Sequence, residues 1–103
     1  MEEAIKDEYV IFSYLGDLET AARLAKDGGL SGATIKEMEA AHSDLMALGA
    51  LLETEAHYKR LKVDVGGGLI EDLIKTSREG KEDIALSIVQ QLRDNIRLLK
   101  LAV

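Results

Sequence analysis

Apolar residues recur at alternating steps of three and four through most of this chain, the period of one face of an α-helix. The longest run, Thr34 to Lys62, predicts a single central helix. Its stripe is Ile35, Met38, His42, Leu45, Gly49, Leu52 and Ala56, widened by Ala41, Leu48 and Leu51. Glu37, Ser43, Asp44 and Glu53 stay outside it. Thr34 and Glu37 have the spacing of a capping box, which makes Thr34 the expected N-cap, and Ala33 and Met38 stand where a hydrophobic staple would. Gly49 costs roughly 1 kcal/mol against alanine in a helix interior, so a glycine on the buried stripe predicts a close approach there.

Residues 3–26 predict a first helix, with Ala4, Ile5, Glu8, Ile11, Phe12, Leu15, Leu18, Ala22 and Ala25 in the same rhythm. Within it, Tyr9 to Leu15 (YVIFSYL) has the length of a strand, but the helical period continues on both sides. Gly16-Asp17 is a place for a kink, and Asp27-Gly28-Gly29 ends the helix. The short loop Leu30–Ala33 predicts an antiparallel hairpin, which sets Phe12 opposite Gly49 and Glu19 near His42. Val63 to Gly68 closes the central helix, Leu69 to Ser77 is a short helix, and Arg78-Glu79-Gly80 turns the chain. The last helix, from Lys81, carries the stripe Ala85, Val89, Leu92, Ile96, Leu99 and Val103, with Ile88, Leu98 and Leu101 beyond it. The expected fold is all-α, an up-and-down bundle of three long helices and one short, as a single domain over residues 1–103.

Two segments carry more apolar surface than so small a bundle needs: Tyr9–Leu15 and the closing Leu98–Val103. The expectation is a homo-oligomer, a symmetric dimer first, since closed two-fold assemblies are commonest. The function expected is protein–protein interaction, docking a helical partner through Tyr9, Phe12, Tyr14, Leu98, Leu99, Leu101 and Val103.

Composition narrows this picture. Apolar residues make up 47% and charged residues 31%, as in globular chains. Cysteine is absent, the start MEEAIKDE lacks a signal-peptide layout, and no apolar run is long enough for a membrane span. A cytoplasmic location is the default. Net charge is −6, carried by the first half: residues 1–58 hold four Lys/Arg against twelve Asp/Glu, residues 59–103 nine against seven. The one dense basic spot, Lys59-Arg60-Lys62, is too small for the stripe a nucleic-acid binder shows.

The candidate chemistry centres on Glu39-Ala-Ala-His42, a step that puts a carboxylate and an imidazole one turn apart. With Glu19 across the hairpin it resembles half of a ferritin-like di-iron site, which implies iron or another divalent transition metal. Residues 58–103 contain no histidine, so a second chain would have to complete the site. Ala41-His42-Ser43 with Leu48-Gly49 resembles a histidine phosphotransfer bundle. Leu45 and Met46 stand where that family has a lysine and a glycine, and His42 leans onto the apolar stripe. Glu53 and His57, four apart, are expected to pair on the surface. Lys62-Val-Asp-Val-Gly-Gly-Gly68 resembles the glycine turn of Rossmann-like methyltransferases, but the alternating strands that context needs are missing. No nucleophile stands with a histidine and an acid in a plausible triad, so no catalytic residues are assigned.

Overall fold

The computed structural model describes residues 2–66 and 68–103, with side chains from Tyr9 onward. Among the described residues there are five α-helices and no strand: α1 (Glu2–Asp27), α2 (Gly32–Gly49), α3 (Glu55–Leu61), α4 (Leu69–Glu79) and α5 (Glu82–Ala102). A π-helical turn, Lys62–Gly66, continues α3. The expected contributions of Ala4, Ile5 and Glu8 to the first stripe lie outside the described side chains.

α1 runs through Gly16-Asp17 without a break and ends at Asp27, and the chain turns at Gly29, where φ is 79°. Its buried positions are Ile11, Leu18, Ala21 and Ala25, with Tyr14 partly buried against the core. Ile11, Leu18 and Ala25 are buried as expected and Leu15 and Ala22 pack on the core, but Ala21 and Tyr14 join the inner face and Phe12 is left outside, 68% exposed.

The expected central helix is two helices. α2 stops at Gly49, Leu52 tucks into the core, and α3 begins again at Glu55. Two local causes combine. Gly49 is a poor interior residue, and Thr54 is an N-cap whose side chain accepts from the His57 amide at 3.2 Å. His57 completes the capping box by accepting the Glu53 and Thr54 amides at Nδ1, 3.2 and 3.4 Å away. His57 is thus a backbone cap rather than the side-chain partner of Glu53.

The start of α2 also moves. Ser31, not Thr34, is the N-cap, and Thr34 lies buried in the first turn, its amide donating to Ser31 Oγ at 3.3 Å. The carboxylate of Glu82, at the start of α5, accepts from the Ser31 amide at 2.9 Å and from Thr34 Oγ1 at 2.8 Å. An acid from one helix thereby caps the positive end of its neighbour.

α1 packs on α2 and α4, and α5 packs on the same two. α1 and α2 form one antiparallel hairpin, α4 and α5 a second that turns at Gly80 (φ 72°). The hairpins lie side by side in the same sense. Both turns meet at one end, where a side chain on Gly28 would strike the backbone carbonyl of Ser77 and touch Gly80. Arg93 holds α5 to α2 further down, with Nη1 2.8 Å from Glu37 and Nε 3.0 Å from Asp44. Hydrogen bonds to Glu37 and then Asp44 hold its guanidinium above its ordinary pKa.

α4 is short, and the α3–π segment fills the lower part of its column. Leu61 and Val65 are fully buried there. The π-turn shifts the register by a residue and frees the Asp64 carbonyl, which accepts from Asn95 Nδ2 at 2.6 Å. The Tyr14 hydroxyl packs on Gly66 so closely that any side chain at 66 would displace it. Burial pushes the Tyr14 phenol above its ordinary pKa.

The Glu82 contact has a pH signature. Hydrogen bonds from Ser31, and then from Thr34, hold its carboxyl below the usual value of 4.5. A depressed folded-state pKa contributes stability that is complete above the unfolded value and lost as pH falls through the folded one. In Glu82→Gln, the stability deficit against the native chain is expected to be constant at neutral pH. It should shrink as the native carboxylate protonates below about pH 4.5. Urea unfolding from pH 7 to pH 3 measures it; a deficit that does not change with pH would show that the charge contributes nothing.

Candidate functional site

The bundle has two unlike ends. At the turn end, backbones meet at Gly28 and Gly80 and polar side chains tie α2 to α5. At the opposite end, large apolar side chains face outward. Tyr9 and Phe12 project from α1, Met46 from the last turns of α2, and Leu51 from the link after it. Val63 projects from the π-turn, and Leu98, Leu101 and Val103 from and beyond α5. These are eight of the nine exposed large apolar residues among the described residues; the ninth, Ile84, is at the turn end. At 1.5 Å of rise per residue, Phe12, Met46 and Leu98 all lie roughly 21–24 Å from the turns.

Helix register produces this surface. On α5 the heptad stripe Ala85, Val89, Leu92, Ile96 and Leu99 points inward and is buried, so Leu98 and Leu101 point out. Leu101 is 79% exposed. Phe12 follows buried Ile11 and is turned away from the core in the same manner. The residue over Gly49 is Ile11, whose Cγ2 would lie 3.1 Å from an added Cβ; the expected Phe12–Gly49 stacking is replaced by a shared open cleft. That cleft, about 320 Å³, is lined by Ile11, Phe12, Leu15, Met46, Gly49 and Tyr58. A second cleft of about 210 Å³, formed by Arg60, Asp64, Asn95, Leu98, Leu99 and Ala102, opens on the other side of α3.

Two expected docking residues are corrected. Tyr14 is part of the inner stripe of α1 and sits on Gly66. Leu99 is 3% exposed and belongs to the core. The stripe also ends at Leu99, leaving Val103 exposed rather than buried. Met46 and Val63 were not singled out from the sequence, and Leu51, expected to widen the buried face of the central helix, is exposed instead. Met46 lies off the expected stripe of α2 and is exposed by the helical period alone; Leu51 is turned out because α2 ends at Gly49, and Val63 depends on the π-turn.

The groove between α1 and α2 is the place for the metal expectation. It holds about 450 Å³ over a floor of Leu18, Ala22 and Met38, rimmed by Glu19, Arg23, Lys26, Glu39, His42 and Ser43. The hairpin register is as expected at this point: His42 Nε2 is 3.2 Å from Glu19 Oε1. The approach is off line for a hydrogen bond, and the buried Nε2 has no hydrogen-bond partner. Glu39 lies in the same groove. Among the described residues, no group of three or more histidines and acids converges as a metal site would require. His42 is largely covered, its side chain 20% exposed, which disfavours the open access a phosphorylated histidine needs.

No described helix is long and apolar enough to cross a membrane. Comparison with known proteins finds no family model, no curated protein and no solved structure that matches this chain.

Proposed function

We propose that this chain is a non-catalytic interaction module, a four-helix bundle that docks another polypeptide through the apolar end remote from its turns. The observation that carries the reading is the segregation of exposed apolar side chains to that end. Scattered surface apolar residues are ordinary, but a gathered set marks a binding surface. Tyr9 and Phe12 are the expected anchors, since aromatic residues dominate such contacts; Leu98, Leu101 and Val103 extend the surface. A cytoplasmic location is part of the proposal and rests on the cysteine-free composition.

The metal reading keeps Glu19 and His42 as adjacent groups and needs further ligands from outside the chain. Glu19 lies seven residues from Phe12, about 10 Å along α1. A dimer formed through the apolar end would keep two such half-sites apart. The two readings therefore call for different assemblies.

A photo-crosslinking amino acid placed at position 12, or at Ile84 as the control, tests docking in the cells that make the protein. The reading expects polypeptide adducts from position 12 and few from position 84. Equal labelling from the two positions, or none from position 12, would remove it.

A further inference from the structure

Resting on that reading, we infer that the apolar end is a self-complementary surface whose occupant is a second copy of this chain, seated about a two-fold axis and registered by charge. The warrant is the distribution of charge around the exposed apolar residues. On the α1–α2 side of this end, residues 9–18 and 43–54 carry Asp17, Asp44 and Glu53 and no lysine or arginine. On the α3–α5 side, residues 55–66 and 93–103 carry six Lys/Arg against three Asp/Glu. One end of the molecule is thus acidic on one side and basic on the other, with apolar groups exposed on both.

A contact with an unrelated helix needs only one sign of charge. A two-fold contact is different, because the same patch serves both partners and each region meets the other's counterpart. A patch of one sign would repel its copy; a patch divided into opposite signs attracts it twice. The division seen here has the form that symmetry requires. Arg93 is shared between Glu37 and Asp44, and Lys59, Arg60 and Arg97 pair with Glu55, Asp64 and Asp94 beside them, so the contrast is carried by the net excess of base on one side and of acid on the other. Lys100 at the basic side and Asp17 and Glu53 at the acidic side have no ion-pair partner among the described residues. Apolar contact would supply affinity, and the charges would fix orientation and speed encounter.

Two charge-reversed variants test this on the purified full chain. One carries Asp17→Lys and Glu53→Lys, making both sides basic; the other carries Lys59→Glu and Lys100→Glu, making both acidic. Sedimentation velocity over about 5–500 µM reads mass, and circular dichroism confirms that each variant folds. The native chain is expected to reach twice its 11.3 kDa mass. Each variant alone should dimerise at least tenfold more weakly, and an equimolar mixture should recover the native affinity, because like signs oppose only within each pure sample. Phe12→Ser, which keeps all charges, should also weaken the native dimer tenfold or more. A native chain that stays monomeric throughout, variants that associate as the native chain does, or a mixture with no recovery would each overturn the inference. Adducts from position 12 to a different protein, with a monomeric purified chain, would keep the docking reading and remove only the second copy.

Discussion

Gly28→Ala is expected to be among the most damaging single-methyl additions to this protein. A Cβ at position 28 would stand 2.7 Å from the Ser77 carbonyl oxygen, 3.2 Å from that of Leu24 and 3.5 Å from Gly80 Cα. All three are backbone atoms, so no side-chain rotation makes room. The ends of α1 and α4 must move apart, and the cap from Glu82 to Ser31 lies beside the joint that would open. Ser77 is fully buried and its hydroxyl already lacks a hydrogen-bond partner, so the site has no slack in polar contacts either. Overpacking in tight sites costs about 1–3 kcal/mol and sometimes more; a clash with backbone belongs at the upper end. For a domain of this length about 3 kcal/mol lowers Tm by more than 10 °C. Gly32→Ala is the control, because nothing lies within 4 Å of its added Cβ and its φ is not positive. Thermal unfolding of the two variants decides the matter. A Gly28→Ala melt within about 2 °C of the native chain would mean that the two turns are not locked together.

Leu61→Ala should cost about as much for a different reason. α3 has seven residues and could not persist alone in water. What holds it is the burial of Leu61, with Val65 one turn on and Leu52 before it. Truncating a fully buried leucine removes transfer energy and leaves a cavity, about 2–5 kcal/mol together. Here part of that loss should appear as local opening. Hydrogen exchange is expected to quicken in residues 55–66 by a larger factor than in α2 or α5. A uniform change across the chain would show instead that the segment unfolds only with the whole.

The alternation of apolar residues made the all-helical class legible, along with the glycine turns at 28–29 and 80 and the inner face of α5. The hairpin register was legible as well, since Glu19 and His42 do meet. Three features were not. The break after Gly49 depends on His57 acting as the cap partner where a glutamate or glutamine is usual, so the capping signal at Thr54 was hidden. The inner stripe of α1 was right at Ile11, Leu18 and Ala25 and wrong at Phe12, because the helical period alone does not say whether Phe12 or Tyr14 turns inward; Tyr14 does so by packing on Gly66. The π-turn has no periodic signature at all; its contacts, the Asn95 bond to the Asp64 carbonyl and the burial of Val65, come from elements distant in sequence. For the candidate docking surface, Tyr9, Phe12, Leu98, Leu101 and Val103 could be named from excess apolar character. Their gathering at one end required the helix directions.

Those directions also bear on how the chain acquires its structure. Each hairpin closes over a turn of a few residues, so its contacts are local and quickly found. The polar ties between hairpins join residues about fifty apart: Ser31 and Thr34 with Glu82, and Asp44 and Glu37 with Arg93. Because the hairpins stack in the same sense, as units do in helical repeat proteins, each meets the other through one face. The loop-closure cost of the fold is therefore expected to fall mainly on the contacts between the hairpins, not on those within either. Lesions at Gly28, Glu82 or Arg93 fall on that docking face. They are expected to speed unfolding more than they slow folding, which stopped-flow rates in urea would measure.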